Sequence, residues 1–206
     1  MRGSDGTERV QTWYEALRHT PASGTQLRID FGDPKDGNGV IYTADSAWRV
    51  RAGKLATTAA DGNPFLPLIE GVYVQPVDQT LRELQSTKVD MSKVYQTKWD
   101  GRDTWVVGAV AVSDTTSPQF WVDADRKVVT RMILVVAPGR PPMDIHLGGY
   151  ERVGSGWLAM KVTMYVGGVA QQTEEYSDPN VGGALDAALF DPLRWSSAKH
   201  WTSGTP

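Results

Sequence analysis

The chain has 206 residues, of which 40% are hydrophobic and 22% are charged, a composition that fits one domain with a sizeable core. The net charge of −3 and the scattered basic residues exclude the electrostatic footprint of a DNA- or RNA-binding protein. The absence of cysteine excludes disulfides, thiolate nucleophiles and cysteine metal sites. No stretch approaches the roughly 18 apolar residues of a membrane span, so the sequence predicts a soluble chain.

The N-terminal residues predict a helix behind a short tag. Met1–Ser4 resembles the start of an expression tag, which would replace a native signal peptide. Asp5 and Glu8 resemble a capping box, and the chain reaches a helix-stopping Pro21. The apolar side chains that follow the capping box at helical spacing are Val10, Trp13, Tyr14 and Leu17.

Short strands are predicted next. Leu27, Ile29 and Phe31 alternate with polar residues, which is typical of a strand with one buried face. Glycine- and aspartate-rich turns then separate further strands near residues 40–43, 48–51 and 55–57. The first third of the chain is therefore interpreted as a helix followed by a sheet.

The segment Pro64–Val74 is the most apolar in the chain, but two prolines and a glycine exclude a regular strand. It resembles a lid or a short broken helix. Pro76 is suited to the first turn of a helix ending near Ser86, with Val77, Leu81 and Leu84 on one face.

From Lys88 onward, turns at short intervals predict consecutive antiparallel hairpins. Trp105–Val112 is apolar at nearly every position and predicts a strand covered on both faces. Trp157–Val166 alternates, so one face of that predicted strand is apolar. The side chains on this face are Leu158, Met160, Val162, Met164 and Val166.

Catalytic and metal-binding motifs are sparse. The chain has no Gly-x-Ser-x-Gly nucleophile motif, and His19, His146 and His200 form no metal-binding pair, so neither a metal nor a cofactor is expected. Asp144 and His146 share a strand face, where a carboxylate can orient an imidazole as a general base. The alternative for this pair is an ordinary exposed strand face.

The eight tryptophans allow a carbohydrate-binding interpretation or a core interpretation. Trp13 and Trp105 lie in apolar patterns that indicate a core. Trp121, Trp195 and Trp201 are the candidates for exposed aromatic platforms.

Several short motifs of the chain occur together in one known family. The last predicted strand ends in Glu174–Ser177 and is followed by Leu185–Pro192, which reads leucine, aspartate, small residues, leucine and phenylalanine. Trp105–Gly108, Phe120–Asp123 and Val128–Met132 precede them as hairpin segments. From about Val10 to Pro192, these motifs and the order of elements resemble the LolA-like outer-membrane lipoprotein-sorting proteins.

The resemblance implies an α+β, mostly β fold: a curved antiparallel half-barrel sheet covered on its concave face by short helices. Family members carry lipoprotein acyl chains across the periplasm or sense envelope stress. An acyl-handling arginine would be sought on the predicted strands, where none of the candidates is distinguished. These are Arg28, Arg49, Arg51 and Arg131.

We therefore expect a single domain over residues 1–206, with a polar tail at 193–206, that binds a lipid or an acylated protein in an apolar cavity. The protein is expected to be a periplasmic or otherwise exported monomer, in contact with transport or envelope proteins. The alternatives are an envelope-stress sensor or protein-binding module of the same fold, and a small hydrolase using Asp144, His146 or His200. The predicted lining residues are Leu27, Ile29, Phe31, Phe65, Leu68, Ile69, Met132, Leu134, Met160, Val162 and Met164.

Overall fold

The computed structural model describes residues 1, 7–60, 62–63, 65–69, 71–135 and 139–202. Its contacts divide the chain into two compact units. One comprises the described residues of Val10–Leu84 and Gly183–Pro206, and the other those of Met1–Arg9 and Gln85–Gly182. The expectation of a single domain over the whole chain stays a prediction.

The first unit contains an antiparallel sheet in which each strand pairs with the next along the chain. We call it the first sheet. Its strands are β1 (Trp13–Thr20), β2 (Gly24–Phe31), β3 (Gly39–Tyr42), β4 (Ala47–Arg51) and β5 (Lys54–Ala59).

The predicted N-terminal helix is wrong, because its apolar residues lie in strand β1. Trp13 pairs with Phe31 and Leu17 with Leu27 across the ladder to β2. Two residues four positions apart share a face in a strand as well as in a helix, so their spacing fits both. Val10 is 98% exposed and adds no helical contact, and Asp5 lies outside the described residues.

One face of the first sheet carries an apolar core, and we name it the Leu27 face. Leu27, Ile29 and Val40 are buried there with Leu66, and Trp13, Leu17, Phe31 and Tyr42 pack around them. Leu66 belongs to helix α1 (Leu66–Ile69), within the segment predicted as a lid. Pro64 and Glu70 of that segment lie outside the described residues.

The opposite face, the Arg28 face, buries an ion pair. Arg28 donates to both carboxylate oxygens of Asp30, at 2.7 and 2.8 Å, and to the Leu189 carbonyl at 3.0 Å. Its guanidinium also lies 3.6 Å from the centroid of the Trp195 ring. The C-terminal segment therefore covers this face, and it does so through 3-10 turns at Ala187–Phe190 and Pro192–Arg194.

Burial of Trp195 corrects its prediction as an exposed platform, since only 3% of this residue is exposed. Residues after 192 are polar in composition, yet Trp195 packs with Ile41 and Val50, and the half-buried Trp201 packs beside Leu189 and Phe190. The position opposite Trp195 is Gly39, where a Cβ atom would lie 2.7 Å from the indole ring. Glycine thus lets the ring approach the sheet closely.

The second unit contains a larger antiparallel sheet, the second sheet, with strand order β14-β13-β10-β9-β8-β7-β6. Its members are β6 (Val94–Trp99), β7 (Arg102–Val107), β8 (Gln119–Asp123), β9 (Val129–Leu134), β10 (Met143–Gly148), β13 (Lys161–Val166) and β14 (Val169–Glu175). A separate hairpin is formed by β11 (Glu151–Val153) and β12 (Gly156–Leu158).

The predicted class is confirmed: the described residues form a mostly β fold with few short helices, and neither antiparallel sheet closes into a barrel. The strands are divided between two sheets because residues between β5 and β6 form α1, a 3-10 turn at Gly71–Tyr73 and α2 (Val77–Ser86). Helix α2 has the predicted bounds, but it buries Leu84 and exposes Val77 and Leu81. No helix among the described residues has the length and apolar character needed to cross a bilayer.

Two predicted strands are shorter than expected. Trp105–Val112 ends as a strand at Val107, because Gly108 has a φ of 106° and a Cβ there would lie 2.3 Å from the Pro118 carbonyl. Trp105 is 40% exposed, which corrects its core assignment. Trp157–Val166 is interrupted between β12 and β13, so Met160 lies outside both strands.

The turn after β8 depends on a buried carboxylate. Asp123 accepts hydrogen bonds from the backbone N–H groups of Asp125 and Arg126 and from the side chains of Arg102 and Arg126. Burial alone would raise its pKa, but the hydrogen bonds from these two arginines and the backbone hold the pKa of Asp123 well below its usual range. Asp123, the last residue of the hairpin segment Phe120–Asp123, therefore holds the β8–β9 turn in place.

We expect Gly39→Ala to destabilise the protein by about 2 kcal/mol or more. The new Cβ would lie 2.1 Å from the Ile29 carbonyl oxygen as well as against Trp195. Urea denaturation measures the loss. Gly156→Ala in β12 is the control, since its new Cβ would lie 3.9 Å from the nearest atom, the carbonyl oxygen of Val153. Equal losses in both variants would contradict the assigned contact of Trp195 with the sheet.

Candidate functional site

The predicted lining residues lie in both units, and the two sets have different surroundings. In the first unit, Leu27 and Ile29 are already packed against Leu66, and Phe31 lies at the edge of this cluster. Leu68 is buried, while Phe65 and Ile69 are half-buried. Of this set, Leu27, Ile29 and Phe31 belong to the cluster that includes Leu66 of α1.

The second set shares one face of the second sheet, which we name the Met132 face. Met132 pairs with Ile145, which pairs in turn with Met164. Leu134 lies on the same face two residues from Met132, and Val162 lies two residues from Met164. The register thus brings four predicted residues together, whereas Met160 precedes the strand.

Cross-strand pairing extends this set into a continuous row of apolar side chains, one from each of six neighbouring strands. We call it the apolar row. Its middle is buried, but Met164 at one end is half-buried and Val94 at the other is 51% exposed. In order, it consists of Met164, Ile145, Met132, Phe120, Val107 and Val94.

The length of the apolar row follows from sheet geometry. Adjacent strands lie about 4.8 Å apart, so five steps span roughly 24 Å. A single acyl chain occupies half of a hydrocarbon core about 30 Å thick, or about 15 Å. The apolar row is therefore long enough to lie along one extended acyl chain.

The opposite, Arg131 face of the second sheet is ionic and aromatic. Arg131 donates to both oxygens of Asp144, at 2.8 and 2.7 Å. Its guanidinium carbon also lies 4.9 Å from the Trp99 ring centroid and 4.8 Å from that of Trp121. The cation is held by a bidentate carboxylate and two indole rings.

Among the candidate arginines, the structure distinguishes two. Arg28 and Arg131 are buried and each is paired with an aspartate, whereas Arg49 and Arg51 are exposed. Each buried arginine has its carboxylate within its own sheet. Both are therefore engaged in the core of their own unit.

His146 completes the cluster on the Arg131 face. Its Nε2 lies 3.1 Å from Asp144 Oδ1 without the geometry of a hydrogen bond, and the atom is buried. Its ring contacts Trp99 and Tyr165, at centroid distances of 5.1 and 4.8 Å. The prediction that Asp144 and His146 share a face is confirmed.

The ion pair changes the chemistry assigned to Asp144. Burial by itself would raise the pKa of this carboxyl, but the hydrogen bonds from Arg131, together with the neighbouring His146, outweigh burial and lower the pKa to about 2. A carboxylate that is bound on both oxygens serves first as the counterion of Arg131. Within the described ranges, no group of three histidine or carboxylate side chains is arranged to hold a metal ion.

Exposed platforms at Trp121 and Trp195 are excluded by their burial, and Trp201 is half-buried. The aromatic residue that sequence reasoning missed is Trp99, which is half-buried in the cluster. The alternation of Tyr95, Thr97 and Trp99 in one strand was its available signal.

We expect Asp144→Asn to lower the free energy of unfolding at pH 7 by at least about 2 kcal/mol. A depressed carboxylate pKa stabilises the folded state above the ordinary value of 3.8, and this contribution disappears as pH falls towards about 2. The difference between variant and parent should therefore narrow between pH 4 and pH 2 in urea denaturation.

Glu175→Gln provides the matched control, because Glu175 pairs with Lys161 at 2.9 Å on the exposed surface. Exposed ion pairs contribute little to stability, so this variant should unfold like the parent. A pH-independent effect of Asp144→Asn would show that its carboxylate charge is not what stabilises the cluster.

Comparison with known proteins gives one structural likeness. No family model and no curated protein matches the chain. The chain is similar to a crystal structure from Vibrio parahaemolyticus, provisionally described as an outer membrane lipoprotein-sorting protein domain, at 12% identity. The match covers 90% of each chain with a TM-score of 0.38.

Proposed function

We propose that the protein is an exported, periplasmic binding protein that holds a lipid or a lipoprotein acyl chain against the apolar row. The observation that carries this proposal is the unbroken run of apolar side chains across six strands, buried at the centre and exposed at Val94. Because the middle of the row is already covered in the ligand-free protein, a hydrocarbon chain would first contact the exposed Val94 end and displace that cover as it enters.

The binding free energy would come from burial of hydrocarbon. Each methylene removed from water contributes about 0.8 kcal/mol, so ten methylenes supply about 8 kcal/mol before the cost of ordering the chain. No charged partner is needed for that contribution. Binding would therefore depend weakly on salt.

The side chains at the Met164 end favour an adaptable site. Met143 and Val166 pair beside Met164 on the same face, and all three are half-buried. Methionine adopts many conformations and fits ligands of irregular shape. We assign Met132, Leu134, Val162 and Met164 to the binding surface, with Met160 at its margin.

The residues of the first unit have a different proposed role. Leu27 and Ile29 have Leu66 as their cover, so we assign them, with Phe31, to a core that is closed in the ligand-free protein. Entry of a ligand there would require α1, with Phe65, Leu68 and Ile69, to move. The expectation that these residues line a ligand stays a prediction.

A second candidate function is recognition of a protein partner, as in envelope-stress sensing. The observation in its favour is a group of exposed apolar side chains on α2 and the residues before it. They are Val72, Tyr73, Val74, Val77 and Leu81. In either role, an acylated protein or another envelope protein is the proposed partner of a monomer.

The test of the carrier function is binding of a fluorescent fatty acid, together with native mass spectrometry of untreated protein for co-purified lipid. We expect Val94→Glu to weaken probe binding about tenfold, because it places a charge at the open end of the apolar row. The parent should bind the probe saturably.

The control for this experiment is Val112→Glu. Val112 is 50% exposed against 51% for Val94, but it lies outside the strands. Its probe affinity should match the parent. Absence of both co-purified lipid and probe binding in the parent would refute the carrier function, and equal weakening by both variants would refute its location at the apolar row.

A further inference from the structure

A surface depression of about 350 Å³ lies on the Arg131 face of the second sheet, opposite to the apolar row. Pockets for small ligands begin near this size, at about 300 Å³. The depression is formed where β6, β10 and β13 end or begin. Its lining includes Trp99, Asp100, His146, Gly148, Lys161 and Thr163.

Trp99 gives the depression a fixed aromatic wall. Its ring meets Trp121 edge-on at a centroid distance of 5.0 Å and His146 at 5.1 Å, with interplanar angles of 70° and 84°. The Arg131 guanidinium contacts it as well. Because three neighbours hold the indole, little side-chain freedom is lost when a ligand packs on it.

Cross-strand pairing sets polar groups beside that wall. Thr163 lies directly opposite His146, and Lys161 directly opposite Gly148. A Cβ atom at Gly148 would meet no atom within 4 Å, so the space above this glycine is open. The Thr163 hydroxyl, the Lys161 ammonium and the His146 imidazole therefore surround the open space above Gly148.

The charges around the depression are balanced. Arg131 neutralises Asp144, and Lys161 is 2.9 Å from Glu175. Asp100 adds a carboxylate acceptor at the rim. Mixed donors and acceptors with no excess positive charge do not favour a phosphate or another strong anion. They fit a neutral ligand with several hydroxyl groups.

We propose that this depression binds a single sugar ring, with Trp99 packing on the C–H face of the ring and Thr163, Lys161 and Asp100 bonding its hydroxyls. A sugar has one apolar face and a rim of hydroxyls, which matches an indole wall bordered by polar side chains. The ring belongs to a free saccharide or to the headgroup of a glycolipid. The site is independent of the proposed acyl-binding function, since it lies on the other face of the sheet.

The test is an NMR titration of the full chain with the methyl β-glycosides of glucose, galactose and N-acetylglucosamine. We expect at least one to bind saturably, with a Kd in the millimolar range, and to shift the indole N–H signal of Trp99 together with the amides of His146 and Thr163. No saturable shift with any of the three, or shifts confined to other tryptophans, would overturn the proposal.

Variants locate the site without depending on Trp99, whose replacement disturbs the cluster. Thr163→Val keeps the shape of the side chain but removes its hydroxyl, and we expect binding to weaken about tenfold. Thr173→Val is the matched control, because Thr173 pairs with Thr163 in the next strand but is exposed outside the depression. Unchanged affinity in Thr163→Val would overturn the assignment.

Octyl β-glucoside, below its micelle concentration, distinguishes the two sources. Equal affinity for the methyl and octyl glucosides supports recognition of the ring of a free saccharide, and tighter octyl binding that still shifts Trp99 supports a glycolipid headgroup. Octyl binding without any response to methyl glycosides overturns the sugar site. Fatty-acid probe binding should be unchanged in Thr163→Val, so failure here and failure of the carrier function are separate results.

Discussion

An arginine buried on a sheet face is stable only if a carboxylate neutralises it, and this requirement organises both units. Strands β2 and β9, each paired with a strand on either side, bury nearly every residue on both faces. In β2 the cation is Arg28, paired with Asp30 in the same strand. In β9 it is Arg131, paired with Asp144 in the neighbouring strand. Each unit therefore has one apolar face and one face on which charge is buried in pairs.

A buried guanidinium also needs neighbours that replace the water it has lost. In both sheets tryptophan rings fill this place. Trp195 covers Arg28, while Trp99 and Trp121 flank Arg131. This is why tryptophans in polar sequence surroundings are buried, contrary to expectation. An indole face attracts a cation through its quadrupole, so aromatic residues next to charges in the fold are as much a part of its core as aliphatic ones.

The sequence was sufficient to predict strands in which apolar and polar residues alternate, such as Leu27 to Phe31, and turns marked by paired glycines, such as Gly167–Gly168. The sequence-based prediction was wrong where one spacing fits both a helix and a strand. Trp13 and Leu17 lie four positions apart, which places them on one face in either element. The apolar row was only partly predictable. Met132 and Met164 were recognisable as apolar, but their alignment through Ile145 depends on cross-strand register, which no single strand encodes.

The covering of Arg28 also constrains how the first unit is assembled. Its guanidinium donates to the carbonyl of Leu189, a residue 161 positions further along the chain. Contacts of such long sequence separation form slowly, because a long loop must close before they contribute. During synthesis, strands β1 to β5 emerge well before Leu189, so their Arg28 face lacks its cover until the turn Ala187–Phe190 has been made. The strands of the first sheet thus precede those of the second sheet in the chain, but the residues that cover the Arg28 face follow them.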